Sequence, residues 1–465
     1  MRPEHAEKKF ILSHIIFLLS LILISNIPRL YPVIHEKYLP PMDRLLRFYI
    51  IGVISIVFLA YFLCAYFYKK SNISLFELNG LSVYFWSATI LVFLILCTSS
   101  ALLSHDLFEY SIRGRTLTLW GLNPYLHPPL EINKDAFFPL IFWKKAPELY
   151  GPLWVFIGAF HTIFFKGSLL LTTFMHKLIL LIFFILSLSV FYKLCKEIIP
   201  EDAEYASLVF LLNPLILIMT LVDGHNEIAM VFFILLSFYQ LVKARYAFSL
   251  ILLALAINVK FVYVFIVPLF ILFILLFNRE KNPGANIIKI ITGIAISFAI
   301  TVLLWLPFGM DSVKAVFSYY ADLNKLFWID SIPYAVYFIL NRINIVLSKQ
   351  FIGDIFFAAF VFVYIYATYS FFKKSRSSKK AIFTASSLIL LALIFTSSTG
   401  FQAWYLIWVI PLIYLSDIRF KYQIVFIMSY FLIMSFWKRM SVLAVPMAIT
   451  YLITALICKR HTESP

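Results

Sequence analysis

Uncharged apolar windows recur along this chain, at residues 83–103, 205–221, 261–277, 355–372 and 381–416. A stretch of roughly 17 to 25 apolar residues is long enough to cross a bilayer core as a helix. A helix is the form it must take, because backbone amides inside lipid have to pair within their own segment. The expected fold class is therefore an all-α polytopic membrane protein. The last window has room for two spans. The first apolar run, residues 10–27, lacks an A-x-A-like cleavage site and many spans follow it, so it is expected to be a retained helix. Composition agrees, with 62% of the 465 residues hydrophobic and 13% charged.

The formal charge of +16 would suggest nucleic acid in a soluble protein. Here the basic residues sit in short gaps between apolar runs: Lys69 and Lys70, Lys193 and Lys196, Lys243 and Arg245, Arg279 and Lys281, the run "KKSRSSKK" from Lys373 to Lys380, Arg419 and Lys421, Lys459 and Arg460. The positive-inside rule makes these gaps cytoplasmic. No basic stripe interleaves with exposed aromatics outside the spans, so no nucleic-acid partner is expected. Cys64, Cys97, Cys195 and Cys458 are scattered and imply neither a disulfide framework nor a zinc site.

Threading the chain with those gaps inside gives about fourteen transmembrane helices in one integral membrane domain, residues 1–465. Residues 153–165 are apolar but too few to cross, and are expected to dip into the outer leaflet as a short helix. Two long segments then face outward, residues 104–172 and 309–354. Both mix Pro, aromatics and charges without low complexity, so both are expected to fold and to carry short helices.

The polar residues collect at that outer boundary. Residues 104–129, "SHDLFEYSIRGRTLTLWGLNPYLHPP", follow an uncharged run and place Asp106, Glu109, Arg113 and Arg115 within ten positions. "LVDGHNE", residues 221–227, forms the next tight outer turn, Lys260 lies between two apolar runs, and "STGFQAWY", residues 398–405, closes the set. Such a cluster marks a site where lipid meets water. For Asp106 two readings stand side by side: a helix cap, or a general base that draws a proton from an acceptor hydroxyl. Glu109, a turn further on, would share its face and move its protonation. Arg113 and Arg115 are either snorkelling anchors or a two-point clamp for phosphate. Asp223, His225 and Glu227 are ionisable groups that must be paired or solvated. One His with nearby carboxylates is a thin ligand set, so no metal or other cofactor is expected, a divalent ion being the disfavoured alternative.

The ordered motifs "HDLFEYSIRGR…GLNPY", "YGPLW", "NPLILIMTLVDGHNE", "NVKFVY" and "FQAWYLIWVIP" resemble those of the GT-C superfamily of membrane glycosyltransferases, and within it the polyprenol-phosphomannose-dependent mannosyltransferases. The resemblance implies a GT-C-like bundle in the cell membrane. It implies an active site on the extracytoplasmic face and a hexose, mannose above all, moved with inversion from a polyprenyl-phosphate donor to a lipid or glycan acceptor of the cell envelope. The acidic residue opening the first large outer loop, expected to be the catalytic base, falls on Asp106, with Glu109 beside it. Arg113, Arg115 and Lys260 are candidates for the donor phosphate. Tyr110, Asn123, Tyr150, Asp223, His225, Asn226, Glu227, Gln402 and Trp404 are candidates to line the substrates. The family's "HND" turn stands here as His225-Asn226-Glu227. The runner-up class, a transporter or flippase of lipid-linked sugars, calls for midplane polar groups and an inverted repeat, and neither is visible in the sequence.

Overall fold

Apolar windows become helices, and several of those helices are broken. The computed structural model describes residues 3–30, 44–77, 79–165, 167–277, 283–325, 331–374, 378–397 and 402–435, all of whose regular elements are helical. Arg279, Lys281, residues 375–377 of the basic run, residues 398–401 of the "STGF" turn, Cys458, Lys459 and Arg460 lie outside them. The chain divides into two compact units, residues 1–232 and 233–465.

The first unit holds α1 (Pro3–Leu30), α2 (Arg44–Lys70), α3 (Gly80–Cys97), α4 (Asp106–Thr118), α5 (Pro152–Phe164), α6 (Leu169–Ile198), α7 (Ala203–Leu211) and α8 (Pro214–Leu217). A π-turn, Ile218–Val222, extends α8, and α9 (Glu227–Val242) starts here and runs on into the second unit. Local chemistry sets the ends. Asn79 and Ser82 cap α3 reciprocally: Ser82 N–H donates to Asn79 Oδ1 at 2.8 Å, and Asn79 N–H to Ser82 Oγ at 2.9 Å. Pro214 has no N–H to continue α7, and Asn213 Oδ1 instead accepts from the amides of Leu215 and Ile216. The 205–221 window consequently bends by 44°.

The segment after α3 has a hydrophobic core of its own. Ile112, Ile132, Phe137 and Ile141 are buried together, with Phe108, Leu122 and Phe138 packed against them. Helix α5, with its 13 residues, is only about 20 Å long, short of a ~30 Å hydrocarbon core. Its exposed Phe160, Ile163 and Phe164 fall on one face. The opposite side presses on α4 so closely that a Cβ on Gly114 would lie 2.5 Å from the carbonyl oxygen of Gly158.

In the second unit α10 (Tyr246–Val259) passes through a 3₁₀ segment, Phe261–Ile266, into α11 (Val267–Phe277). Then come α12 (Pro283–Trp305), α13 (Met310–Lys325), α14 (Ile332–Arg342), α15 (Lys349–Lys374) and α16 (Lys380–Thr396). A second 3₁₀ segment, Ala403–Trp408, leads into α17 (Ile410–Leu415), and α18 (Lys421–Ser435) follows. Helices α10 and α12 meet where a Cβ on Gly293 would be 3.0 Å from Ala247 Cα, and Asn258 Nδ2 donates to Thr301 Oγ1 at 2.9 Å. Helices α12 and α15 leave large apolar side chains uncovered, among them Phe298, Leu303, Phe357 and Phe362, as lipid-facing helices do.

Among the described residues, six helices are long and apolar enough to span a membrane, or seven with the bent pair counted as one. Seven shorter apolar helices accompany them. Helices α4 and α5 are held together at the Gly114–Gly158 contact. Gly114→Ala should therefore cost about 1–3 kcal/mol through overpacking, seen as a lower thermal-unfolding midpoint in detergent. Gly52→Ala, where nothing lies within 4 Å of the added atom, should leave the midpoint unchanged.

Candidate active site

A buried carboxylate ties the turn before α4 to the turn before α9. Asp223 follows the π-turn, whose wide winding frees the backbone to end the helix: Asp223 N–H donates to the Ile218 carbonyl and His225 N–H to that of Met219, each at 2.9 Å. Asp223 Oδ1 accepts the amides of Leu102 at 2.6 Å and Leu103 at 2.9 Å. From α6 the buried Lys177 Nζ donates to the Ser99 carbonyl at 2.7 Å and attracts Asp223 electrostatically. Residues 99–103, which lead into α4, are thus held at both ends by side chains of other elements. Between them Gly224, at φ +71°, passes so close to α4 that a Cβ would meet Leu107 Cδ1 at 2.8 Å.

That clamp brings the starts of α4 and α9 to one imidazole. Asp106 is the first residue of α4 and Glu227 the first of α9, each at the positive end of a helix, where a carboxylate is favoured. His225 Nδ1 lies 3.4 Å from Asp106 Oδ2 and 3.9 Å from Glu227 Oε2. His225 and Glu227 are fully buried, whereas the Asp106 side chain keeps 20% of its surface. The cap position of α4 falls on His105, not Asp106, and His105 makes no side-chain cap bond. Tyr110, one turn along, sets its hydroxyl 3.5 Å from both Asp106 Oδ2 and the Tyr150 hydroxyl. Its ring stacks on His176, whose Nε2 donates to the Gly224 carbonyl at 2.9 Å, and burial pushes its phenol well above the usual value. The side-chain amide of Asn226, also buried, makes no hydrogen bond among the described residues.

The other charges of α4 turn into the loop. Glu109 Oε1 accepts the amides of Phe142 and Trp143, both at 2.6 Å, and Oε2 lies 3.5 Å from Arg113. Arg113 donates to the Ala146 carbonyl at 2.7 Å. Arg115 pairs with Asp135 at 3.0 Å. Asn123 Oδ1 accepts from the Tyr125 amide and shapes the "GLNPY" turn. Glu148, a residue not singled out in the sequence, accepts the amides of Leu149 and Tyr150 and so fixes Tyr150; burial raises its pKa.

In the second unit the "NVKFVY" motif meets the 3₁₀ segment Ala403–Trp408. Lys260 Nζ stands 5.0 Å from the Tyr405 ring centroid and 4.9 Å from that of Trp408, a setting that stabilises a cation. The Trp408 carbonyl accepts from the Tyr263 hydroxyl at 2.7 Å. Gln402 caps the 3₁₀ segment through the Tyr405 N–H, and Trp404 is buried edge-on to Tyr405. Among the described residues no group of three or more His, Cys, Asp or Glu is arranged to hold a metal ion.

Fold and site define a helical membrane protein in which α4 opens on a partly exposed acid backed by an imidazole. The chain belongs to the alpha-(1->6)-mannopyranosyltransferase family, whose N-terminal-domain model matches residues 12–276, more than half its length. No curated protein matches it. The matched part takes in every site residue named above up to Lys260 and excludes Gln402 and Trp404. Membership bears out the resemblance to the GT-C mannosyltransferases and supports a mannosyltransferase activity.

Lys177, His176 and Glu148 escaped the sequence reading. A lone Lys inside the apolar run of α6 was the available signal. If Asp223 is the clamp, Asp223→Ala strands two buried amides and should cost on the order of 3 kcal/mol. A drop of several degrees in the unfolding midpoint is expected, and a much smaller one for Asp223→Asn, which keeps the accepting oxygen.

Proposed function

We propose that the protein transfers mannose from a polyprenyl-phosphate donor to a hydroxyl of a glycan or lipid acceptor at the extracytoplasmic face, with Asp106 as general base. The observation that carries this reading is the exposure of Asp106 beside the buried His225–Glu227 pair. It can meet an acceptor, while its partners hold it in place. In the transfer the acceptor O–H gives its proton to an Asp106 oxygen, the acceptor oxygen forms a bond to the anomeric carbon, and the bond from that carbon to the phosphate oxygen breaks, its electron pair leaving with the phosphate. Attack opposite the leaving group turns a β-linked donor into an α-mannoside. That outcome agrees with the linkage in the family's name.

His225 is the positioning residue in this scheme, set between Asp106 and Glu227. Tyr110 and the buried amide of Asn226 are proposed to hold sugar hydroxyls; an amide with no hydrogen-bond partner among the described residues is a ready reader of them. Of the cations expected on the donor phosphate, Lys260 is kept, on the strength of its seat at a helix break. Arg113 and Arg115, and Glu109 with them, are proposed instead to build the loop, since their bonds run into it. The leaving phosphate is already a stable anion, and transfer is proposed to need no metal.

Asp106→Asn keeps size and helix position but cannot take the proton. Transfer should fall by roughly 10² to 10⁴, with the unfolding midpoint and donor affinity kept, while Glu109→Gln should mainly lower stability. Transfer by purified Asp106→Asn at near the wild-type rate would move the base elsewhere.

A further inference from the structure

The far end of α4 carries a second feature. A cleft of about 370 Å³ opens there, lined by Arg115, Trp120, Lys134, Asp135, Ala136 and Gly167 among others. This is within the size range of small-ligand clefts. Arg115 is nine residues beyond Asp106 on the same helix, so the cleft begins about 14 Å from the proposed base.

Its walls are built, and they are neutral in sum where they are buried. Arg115 Nε donates to both oxygens of Asp135 at 3.0 Å, and the Trp120 indole N–H donates to Asp135 Oδ2 at 2.9 Å. The Phe137 amide donates to Oδ1 at 2.9 Å, and the Arg115 guanidinium lies over the Phe137 ring, 5.1 Å from its centroid. Asp135 therefore fixes both an arginine and an indole. Trp120 stays 40% exposed. An immobilised, half-exposed indole next to a polar but charge-balanced pair suits a ligand with one apolar face and many hydroxyls, and binding it orders little of the protein. An anionic lipid headgroup would find the arginine already neutralised, with Lys134 as the remaining cation of the lining.

We propose that this cleft is an outlying subsite for the acceptor, taking a pyranose unit of an oligosaccharide chain whose reacting hydroxyl lies at Asp106. The inference rests on the transferase reading above. It predicts that acceptor length matters: the indole face serves a chain long enough to reach it and has nothing to offer a monosaccharide.

The test compares α-methyl mannoside with α-(1->6)-mannotetraose, using the full chain in nanodiscs. Trp120→Ala should raise KM for the tetraose about five- to tenfold more than for the monosaccharide, the loss of one anchoring side chain. Ala136→Tyr fills the cleft without removing any of the bonds above, and should act alike even if Trp120→Ala folds poorly. Tetraose binding, read directly by saturation-transfer NMR without donor, should weaken in Ala136→Tyr. Equal KM changes for both acceptors, or tetraose binding unchanged by Ala136→Tyr, would overturn the subsite. Binding of anionic vesicles lost in Ala136→Tyr in place of the tetraose effect would assign the cleft to lipid and also overturn it. Absence of transfer to any acceptor, with tetraose binding still weakened by Ala136→Tyr, would sink the transferase reading and leave the sugar site standing.

Discussion

The grip of the Asp223 carboxylate on the backbone of Leu102 and Leu103 is the contact on which the site depends. A carboxylate buried at a membrane boundary is costly unless amide donors and a countercharge surround it. Here two amides and the attraction of Lys177 meet that need, and the outcome is geometric. The segment entering α4 is fastened to the turn entering α9, so Asp106 and Glu227 arrive together at His225. Gly224 allows the turn to pass, because any side chain there would strike Leu107.

A second layer of contacts keeps the loop in one shape. Glu109, Arg113, Asp135 and Glu148 each bind backbone amides or carbonyls of the 123–150 segment. The Gly114–Gly158 contact sets α4 directly on α5. The loop thus resembles a small domain, with charges inside and apolar side chains such as Phe142 and Phe164 outside, a distribution that suits a cap at the lipid surface. A rigid frame of this kind holds an acid in place more accurately than a mobile loop would.

Much of the architecture was legible in the sequence. The helical membrane class followed from uncharged windows, and a helix beginning beside Asp106 was legible from its reading as a cap, although the cap position falls on His105. The break at Asn213-Pro214 is visible in the residues themselves, since proline cannot continue the helix. Partnerships across long separations were not legible: Glu109 meets amides 33 and 34 positions away, and Arg115 finds Asp135 20 positions away. No periodicity encodes such pairs. From the sequence, Arg113 and Arg115 could be either snorkelling anchors or a phosphate clamp, and their bonds into the loop are visible only in the fold. Lys177 was hidden for the opposite reason, since attention to uncharged windows passes over a single charge within a long apolar helix.

The claim that Asp106 acts by taking a proton is tested most directly with a nucleophile that has none to give. Purified Asp106→Ala, supplied with mannosyl donor and azide, should form mannosyl azide at a rate well above its transfer to a hydroxyl acceptor. Wild-type protein should show the reverse preference. Mannosyl azide absent from a variant that still binds donor, or undiminished transfer to the hydroxyl acceptor, would contradict the account.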